Sequence, residues 1–210
     1  MAPNLASLLR LMLVTDDALL RERDLLEVGR AAEQGGVTAV QVRLKHATPR
    51  ELVDATRTLV AVLRIPVLVN DRIDAALASG AAGVHLGPDD LALPLARRIA
   101  PPGFIVGASA GTVEEAEAAR GADYWGVGPW RASGTKPDAG VALGAEGFQK
   151  LVAAGNGIPC IAIGGVRPED VAAVLSAGGA GVAVVSGILG ADDVESAARR
   201  YWKSVNGERY

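Results

Sequence analysis

The residues best equipped for chemistry sit in short polar groups that follow apolar runs. Gln41, Arg43 and Lys45 alternate with Val42 and Leu44. In an extended chain, alternate side chains point the same way, so these three share one side. Two cations in the interior of a sheet are costly to desolvate unless an anion lies between them. A pyrophosphate suits that place, with arginine as a two-pronged donor and lysine as a point charge. A solvated strand end with ordinary ion pairs uses the same residue types. Asn70-Asp71 closes the next apolar run, and Asp89-Asp90 follows the one after. Carboxylates from neighbouring strand ends can share Mg²⁺, which takes oxygen ligands and completes its shell with water and substrate phosphate. Each aspartate also suits the N-cap of a following helix.

Further polar groups recur down the chain. Ser109 ends a fifth apolar run, while Thr112 reads as a helix cap. Ser133-Gly134-Thr135-Lys136-Pro137 lies inside the longest connection, roughly Arg131 to Leu143. Such a loop serves as a ligand-binding lid or as plain mobile surface. Gly164-Gly165 and Val185-Ser186-Gly187 end the last two runs. Glycine lets backbone N–H groups approach a ligand closely, and it also makes tight turns. His85 lies within an apolar run and reads as a hydrogen-bonded core histidine. Cys160 reads as inert packing, and Trp125 and Trp130 as packing between layers.

What must position these groups is an alternation of strands and helices. Strand-like runs cover Leu11–Asp16, Ala39–Leu44, Val67–Asp71, Gly83–Leu86, Ile105–Ala110, Tyr124–Trp130, Cys160–Gly165 and Gly181–Ser186. Several are continuously apolar, as strands covered on both faces of a parallel sheet are. Between them, Leu52, Val53, Thr56, Leu59, Val60 and Leu63 share one helical face, and Thr48-Pro49-Arg50-Glu51 forms a capping box. Thr112–Glu115 and Asp192–Glu195 repeat that start signal, and Pro168 suits another helix start. Glycines at 35–36, 80, 121 and 178–179 each stand between a helix and the next strand, where a left-handed C′ residue belongs.

Eight strand–helix modules predict an α/β fold, a (β/α)₈ TIM barrel spanning residues 1–210 as a single domain. An open doubly wound sheet is the runner-up, but no G-x-G-x-x-G follows the first strand. Trp202–Tyr210 is expected to fray. In a barrel, the C-terminal strand ends converge on one mouth, which is where all the polar groups above fall.

Composition narrows the functions. Half of the 210 residues are hydrophobic and the net charge is −3, so no positive field points to nucleic acid or an anionic membrane. One cysteine excludes an intrachain disulfide and a cysteine-rich zinc site, and fits a cytoplasmic setting. No apolar run approaches the roughly 20 residues of a membrane span. Small-molecule partners are expected, with a homo-oligomer left open.

Taken in order, Gln41-Val-Arg43-Leu-Lys45, Val69-Asn70-Asp71, Gly83 to Asp90, Gly107-Ala-Ser109, Gly126-Val-Gly128-Pro129 with Thr135-Lys136, Ala162 to Gly165 and Val184 to Ile188 resemble the signature set of the thiamine-phosphate synthase family across nearly the whole chain. The resemblance implies that Gln41, Arg43, Lys45, Asn70, Ser109 and Lys136 hold a pyrimidine pyrophosphate, with Arg43, Lys45, Ser109 and Lys136 catalytic. It implies Asp71 and Asp90 as Mg²⁺ ligands. It implies Ser133, Thr135, Gly165, Val185 and Ser186 around a thiazole phosphate. The expected reaction joins the two substrates and expels pyrophosphate by Mg²⁺-assisted dissociative substitution. The family's Pro-Thr-x-Thr-Lys reads Ala132-Ser133-Gly134-Thr135-Lys136 here, its Gln-Glu-Asp reads Pro88-Asp89-Asp90, and its Ser-x-His-Thr reads Ser109-Ala110-Gly111-Thr112. Gly111 bears on one alternative, since related thiazole tautomerases use a histidine near that place. The other alternative is a non-catalytic ligand-binding paralogue.

Overall fold

The computed structural model describes residues 5–20, 23–132 and 140–208. Eight strands form a closed, all-parallel barrel in sequence order: β1 (Leu11–Val14), β2 (Ala39–Val42), β3 (Val67–Asn70), β4 (Gly83–Leu86), β5 (Ile105–Ser109), β6 (Tyr124–Val127), β7 (Cys160–Ala162) and β8 (Gly181–Val184). β1 pairs with β8 through Leu11↔Val182, which shuts the ring. Helices α1 (Leu5–Leu8), α2 (Asp17–Leu20), α3 (Leu25–Gln34), α4 (Pro49–Val62), α5 (Ile73–Ser79), α6 (Leu93–Ile99), α7 (Val113–Ala118), α8 (Gly144–Ala154), α9 (Val171–Ser176), α10 (Ser186–Leu189) and α11 (Val194–Val205) occupy the connections and flanks.

Alternation along each strand produces two cores. Outward residues such as Leu11, Leu13, Val40, Val42, Val67, Val69, Val84 and Trp125 pack against the helices. Inward residues Met12, Ala39, Leu68, Ile105, Tyr124, Ile161 and Ala183, with Leu9 from the preceding turn, fill the barrel from below. Above them on the inward side come Gln41, Asn70, His85 and Ser109, so the polar layer sits on an apolar plug.

The local signals act as read for α4. Thr48 accepts from the Glu51 N–H and the Glu51 carboxylate accepts from the Thr48 N–H, completing the capping box. Gly36, Gly80, Gly121 and Gly178 all have positive φ. Other expectations need correcting. Every strand except β4 stops one to three residues short of the apolar run it came from. At β6 the Gly128–Pro129 peptide bond is cis, and proline brings no N–H to a ladder. At β7, Gly164 and Gly165 turn to φ 88° and 69° and break extension. The last helix is capped by Asp193, not Asp192, with its carboxylate accepting from the Ser196 N–H at 2.9 Å. It does not fray at Trp202 but continues to Val205, because Arg10 stacks on Trp202 and donates to the Val205 carbonyl at 2.9 Å.

Candidate active site

The C-terminal strand ends enclose one cavity of about 480 Å³. Gln41, Arg43, Lys45, Asn70, Asp71, Ser109, Gly165, Val185 and Ser186 all line it, so nine of the sequence candidates meet in a single hollow. Asp90 is not part of the cavity wall. Its Oδ2 accepts from the N–H of Gly87, which does line it, at 2.6 Å, and its carboxyl group contacts that of Asp71. Ser133, Thr135 and Lys136 lie outside the described residues.

The cationic rim is built across β1, β2 and β3. Gln41 Nε2 donates to Asn70 Oδ1 at 2.7 Å, locking two inward amides from adjacent strands. Arg43 lies just past the end of β2. Its backbone is held by the Thr15 hydroxyl, which accepts from the Arg43 N–H at 2.8 Å and so prolongs the β1–β2 ladder through a side chain. The Arg43 guanidinium donates to Asp16 Oδ2 at 2.6 Å, and Lys45 Nζ donates to Asp71 Oδ2. The anion expected between the two cations is therefore already supplied by carboxylates. Each cation is thereby oriented, and a phosphate can replace its partner. Thr15 and Asp16 escaped the reading of the sequence. They follow an apolar run as Asn70-Asp71 does, and the strand-end rule applied to the first strand finds them.

Asp71 adopts φ 66°, left-handed for a residue other than glycine, while its N–H donates to the His85 carbonyl at 2.8 Å. Such a conformation costs free energy and turns the carboxylate into the mouth beside Lys45. Helix capping, the alternative for both aspartates, is not their role: the N-cap of α5 is Arg72 and that of α6 is Ala92, neither with a side-chain cap. Burial, then the neighbouring Asp71 carboxyl, pushes the Asp90 carboxyl above the ordinary range, against the Gly87 N–H and Lys45. Two crowded carboxylates are a natural place for a dication. Among the described residues no group of three or more histidine, cysteine or acidic side chains is placed to hold a metal. Two carboxylates fit Mg²⁺ well, since that ion keeps waters and recruits substrate phosphate oxygens.

The sector formed by β7 and β8 is built from backbone. A Cβ added to Gly164 would lie 2.8 Å from Pro129 Cα, and one added to Gly165 would lie 2.9 Å from Arg131 Cβ. Both positions therefore need glycine for space as well as for positive φ. Ser186 opens α10 beside them. The arrangement matches the usual monophosphate place of barrels, after the seventh and eighth strands. Arg131 is held by Asp170, which accepts from its Nε at 2.9 Å and from the Arg167 N–H at 2.9 Å.

His85 is buried and hydrogen-bonded, as read from the sequence, but it also lines the cavity, which that reading missed. Trp125 and Trp130 pack as expected, the latter edge-on to Phe148 at 5.7 Å between ring centroids. Burial pushes the Cys160 thiol up to about 11, in keeping with inert packing. A Cβ at Gly111 would meet the Gly128 carbonyl oxygen at 2.6 Å, so this backbone admits no side chain there. No helix among the described residues is long and apolar enough to cross a membrane.

Known proteins carry the same pattern. The family model for thiamine monophosphate synthase matches residues 11–188. The thiamine-phosphate synthase of Azorhizobium caulinodans is 48% identical over 91% of this chain and 92% of its own. That of Moorella thermoacetica is 45% identical over 89% and 91%. A solved structure, thiamine phosphate pyrophosphorylase from Pyrococcus furiosus, superimposes with a TM-score of 0.87 at 39% identity, covering 97% of this chain and 98% of that one. A cavity that gathers cations, paired carboxylates and a glycine-built pocket on one barrel rim, together with matches of this extent, places the chain in the thiamine monophosphate synthase family.

Proposed function

We propose that the chain condenses 4-amino-2-methyl-5-(diphosphooxymethyl)pyrimidine with 4-methyl-5-(2-phosphooxyethyl)thiazole, giving thiamine phosphate and releasing pyrophosphate. The single observation that carries this reading is the convergence of Arg43, Lys45 and Asp71 on one cavity wall, with Asp90 in contact with Asp71. Arg43 and Lys45 exchange their carboxylate partners for diphosphate oxygens and stabilise the charge that develops as the C–O bond breaks. The interlocked amides of Gln41 and Asn70 face the aminopyrimidine. Gly165, Val185 and Ser186 take the monophosphate of the thiazole and set its ring nitrogen toward the exocyclic methylene. Ser133, Thr135 and Lys136 keep the roles that family resemblance implies for them.

Asp71 and Asp90 would hold Mg²⁺, which supplies further neutralisation of the departing diphosphate. The electron-rich pyrimidine stabilises the methylene cation left behind, and the thiazole nitrogen carries no proton to remove. The chain therefore needs no strong general base and must instead exclude water from the cation.

Gly111 weighs against a tautomerase, because the backbone there is closed to the histidine such chemistry uses. The test is incubation with both substrates, with and without Mg²⁺, followed by detection of thiamine phosphate and pyrophosphate. Both products are expected only when both substrates and the ion are present. A changed thiazole phosphate without the pyrimidine, or binding of both substrates without turnover, would overturn the proposal.

A further inference from the structure

At the cavity floor, three side chains from successive strands form a hydrogen-bonded row. The Tyr124 hydroxyl lies 3.0 Å from His85 Nδ1, and His85 Nε2 lies 3.2 Å from Ser109 Oγ. Tyr124 is fully buried, and His85 and Ser109 both reach the cavity. The barrel makes room for this row with glycines. A Cβ at Gly107 would sit 2.2 Å from the Tyr124 ring, and one at Gly126 would sit 2.9 Å from His85 Cε1. Two inward strand positions are left without side chains where the two rings lie, so the row is built into the interior.

The direction of the row follows from proton inventory. Burial drives the Tyr124 hydroxyl well above its ordinary pKa, so the phenol keeps its proton. A buried donor without an acceptor is expensive, and His85 Nδ1 is within reach. A neutral imidazole that accepts at Nδ1 carries its hydrogen on Nε2, and that hydrogen points to Ser109 Oγ. An oxygen that accepts from histidine must turn its own proton elsewhere, and the open side is the cavity.

We propose that Tyr124 and His85 are positioning residues that fix the Ser109 hydroxyl as a donor into the cavity, aimed at an anionic oxygen of the departing diphosphate. This rests on the condensation proposed above and extends it, since it assigns a task to two residues that touch no phosphate themselves. A hydroxyl pre-set as a donor costs no reorientation when charge develops, which is where preorganised dipoles act.

The tautomer can be read in the wild-type protein without substrates, by long-range ¹H–¹⁵N correlation of the imidazole nitrogens. His46→Gln identifies the signals of His85, because the chain has only these two histidines. A protonated Nε2 and a bare, hydrogen-bonded Nδ1 are expected. Tyr124→Phe should blur that pattern into a tautomer mixture and lower kcat about tenfold, with KM for the thiazole phosphate unchanged. His85→Leu should lower kcat about 10- to 100-fold, and His85→Gln, which keeps an amide donor near the Nε2 position, should recover part of it. Ser109→Ala added to His85→Leu should cost little more than either alone, as expected for residues acting as one unit.

A hydrogen on Nδ1 in the wild type, additive losses in the double variant, or an unaltered kcat in His85→Leu would overturn the relay. The nitrogen spectrum keeps the two proposals separable. Absence of condensing activity defeats the proposed reaction, whereas the wrong tautomer defeats the relay even in an active enzyme.

Discussion

Replacing Gly165 by alanine tests whether the β7 turn is shaped by necessity, and Gly80 supplies the matched control. Both glycines sit in the left-handed region, Gly165 at φ 69° and Gly80 at φ 74°. An L-residue there costs about 1–2 kcal/mol on backbone grounds alone. Their surroundings differ. A Cβ at Gly80 meets nothing within 4 Å, whereas one at Gly165 stands 2.9 Å from Arg131 Cβ and 3.2 Å from the Arg131 carbonyl oxygen. Overpacking of this kind adds about 1–3 kcal/mol. Gly80→Ala should therefore lose about 1–2 kcal/mol with full activity. Gly165→Ala should lose about 2–5 kcal/mol if the turn holds. For a chain of this size each kcal/mol corresponds to about 2–4 °C in Tm. If the turn gives way instead, part of the loss moves from stability into a raised KM for the thiazole phosphate. Urea unfolding followed by tryptophan fluorescence, alongside steady-state kinetics, separates the two routes. Equal stability losses in both variants, with KM untouched at Gly165, would refute the reasoning.

Other expectations follow from the same geometry. Asp71→Ala should lose roughly 100-fold or more of the Mg²⁺-dependent turnover while the far-ultraviolet circular dichroism stays that of the barrel; pyrophosphate release across a Mg²⁺ titration measures this. The Arg131 guanidinium holds the Asp170 carboxyl below its ordinary value, so the pair's stabilisation is present above the unfolded pKa of about 3.9 and is lost as pH falls through the lower native value. Asp170→Asn should accordingly be less stable than wild type near neutrality, with the gap between their urea midpoints closing in strong acid. The Cys160 thiol, buried and raised to about 11, should resist iodoacetamide at about pH 8 until the protein is unfolded, as mass spectrometry of native and urea-treated samples would register.

The barrel was legible because its signals are local. Strand-length apolar runs, capping boxes and post-helical glycines depend on neighbours in sequence; Gln41, Arg43 and Lys45 do share the cavity, although the strand stops at Val42 and Arg43 is held there by Thr15 and Asp16. The carboxylates Asp71 and Asp90 were visible as strand-end residues, though not that they touch each other rather than cap helices. What escaped is pairing at a distance. The link of Asp16 to Arg43 spans 27 residues and that of His85 to Tyr124 spans 39, and neither leaves a periodic trace. Gly107 and Gly126 were the available hint for the second pair, since glycine inside an apolar strand marks the close approach of something large. The short strand ends escaped for a related reason, because hydropathy continues past the point where Pro129 and Gly164 end the ladder.

The seam between β1 and β8 has a kinetic consequence. Its pairing, with the Arg10 hydrogen bonds to Val205 and Asn206 across 195 and 196 residues, joins the two ends of the described chain. Loop-closure entropy must be met before such a contact returns anything, so the ring shuts late, after neighbouring modules have formed. Until it does, the nascent sheet offers two bare margins able to pair with another chain. Self-association during refolding is thus governed by how quickly the two margins find each other, and dilution protects the protein only through that interval.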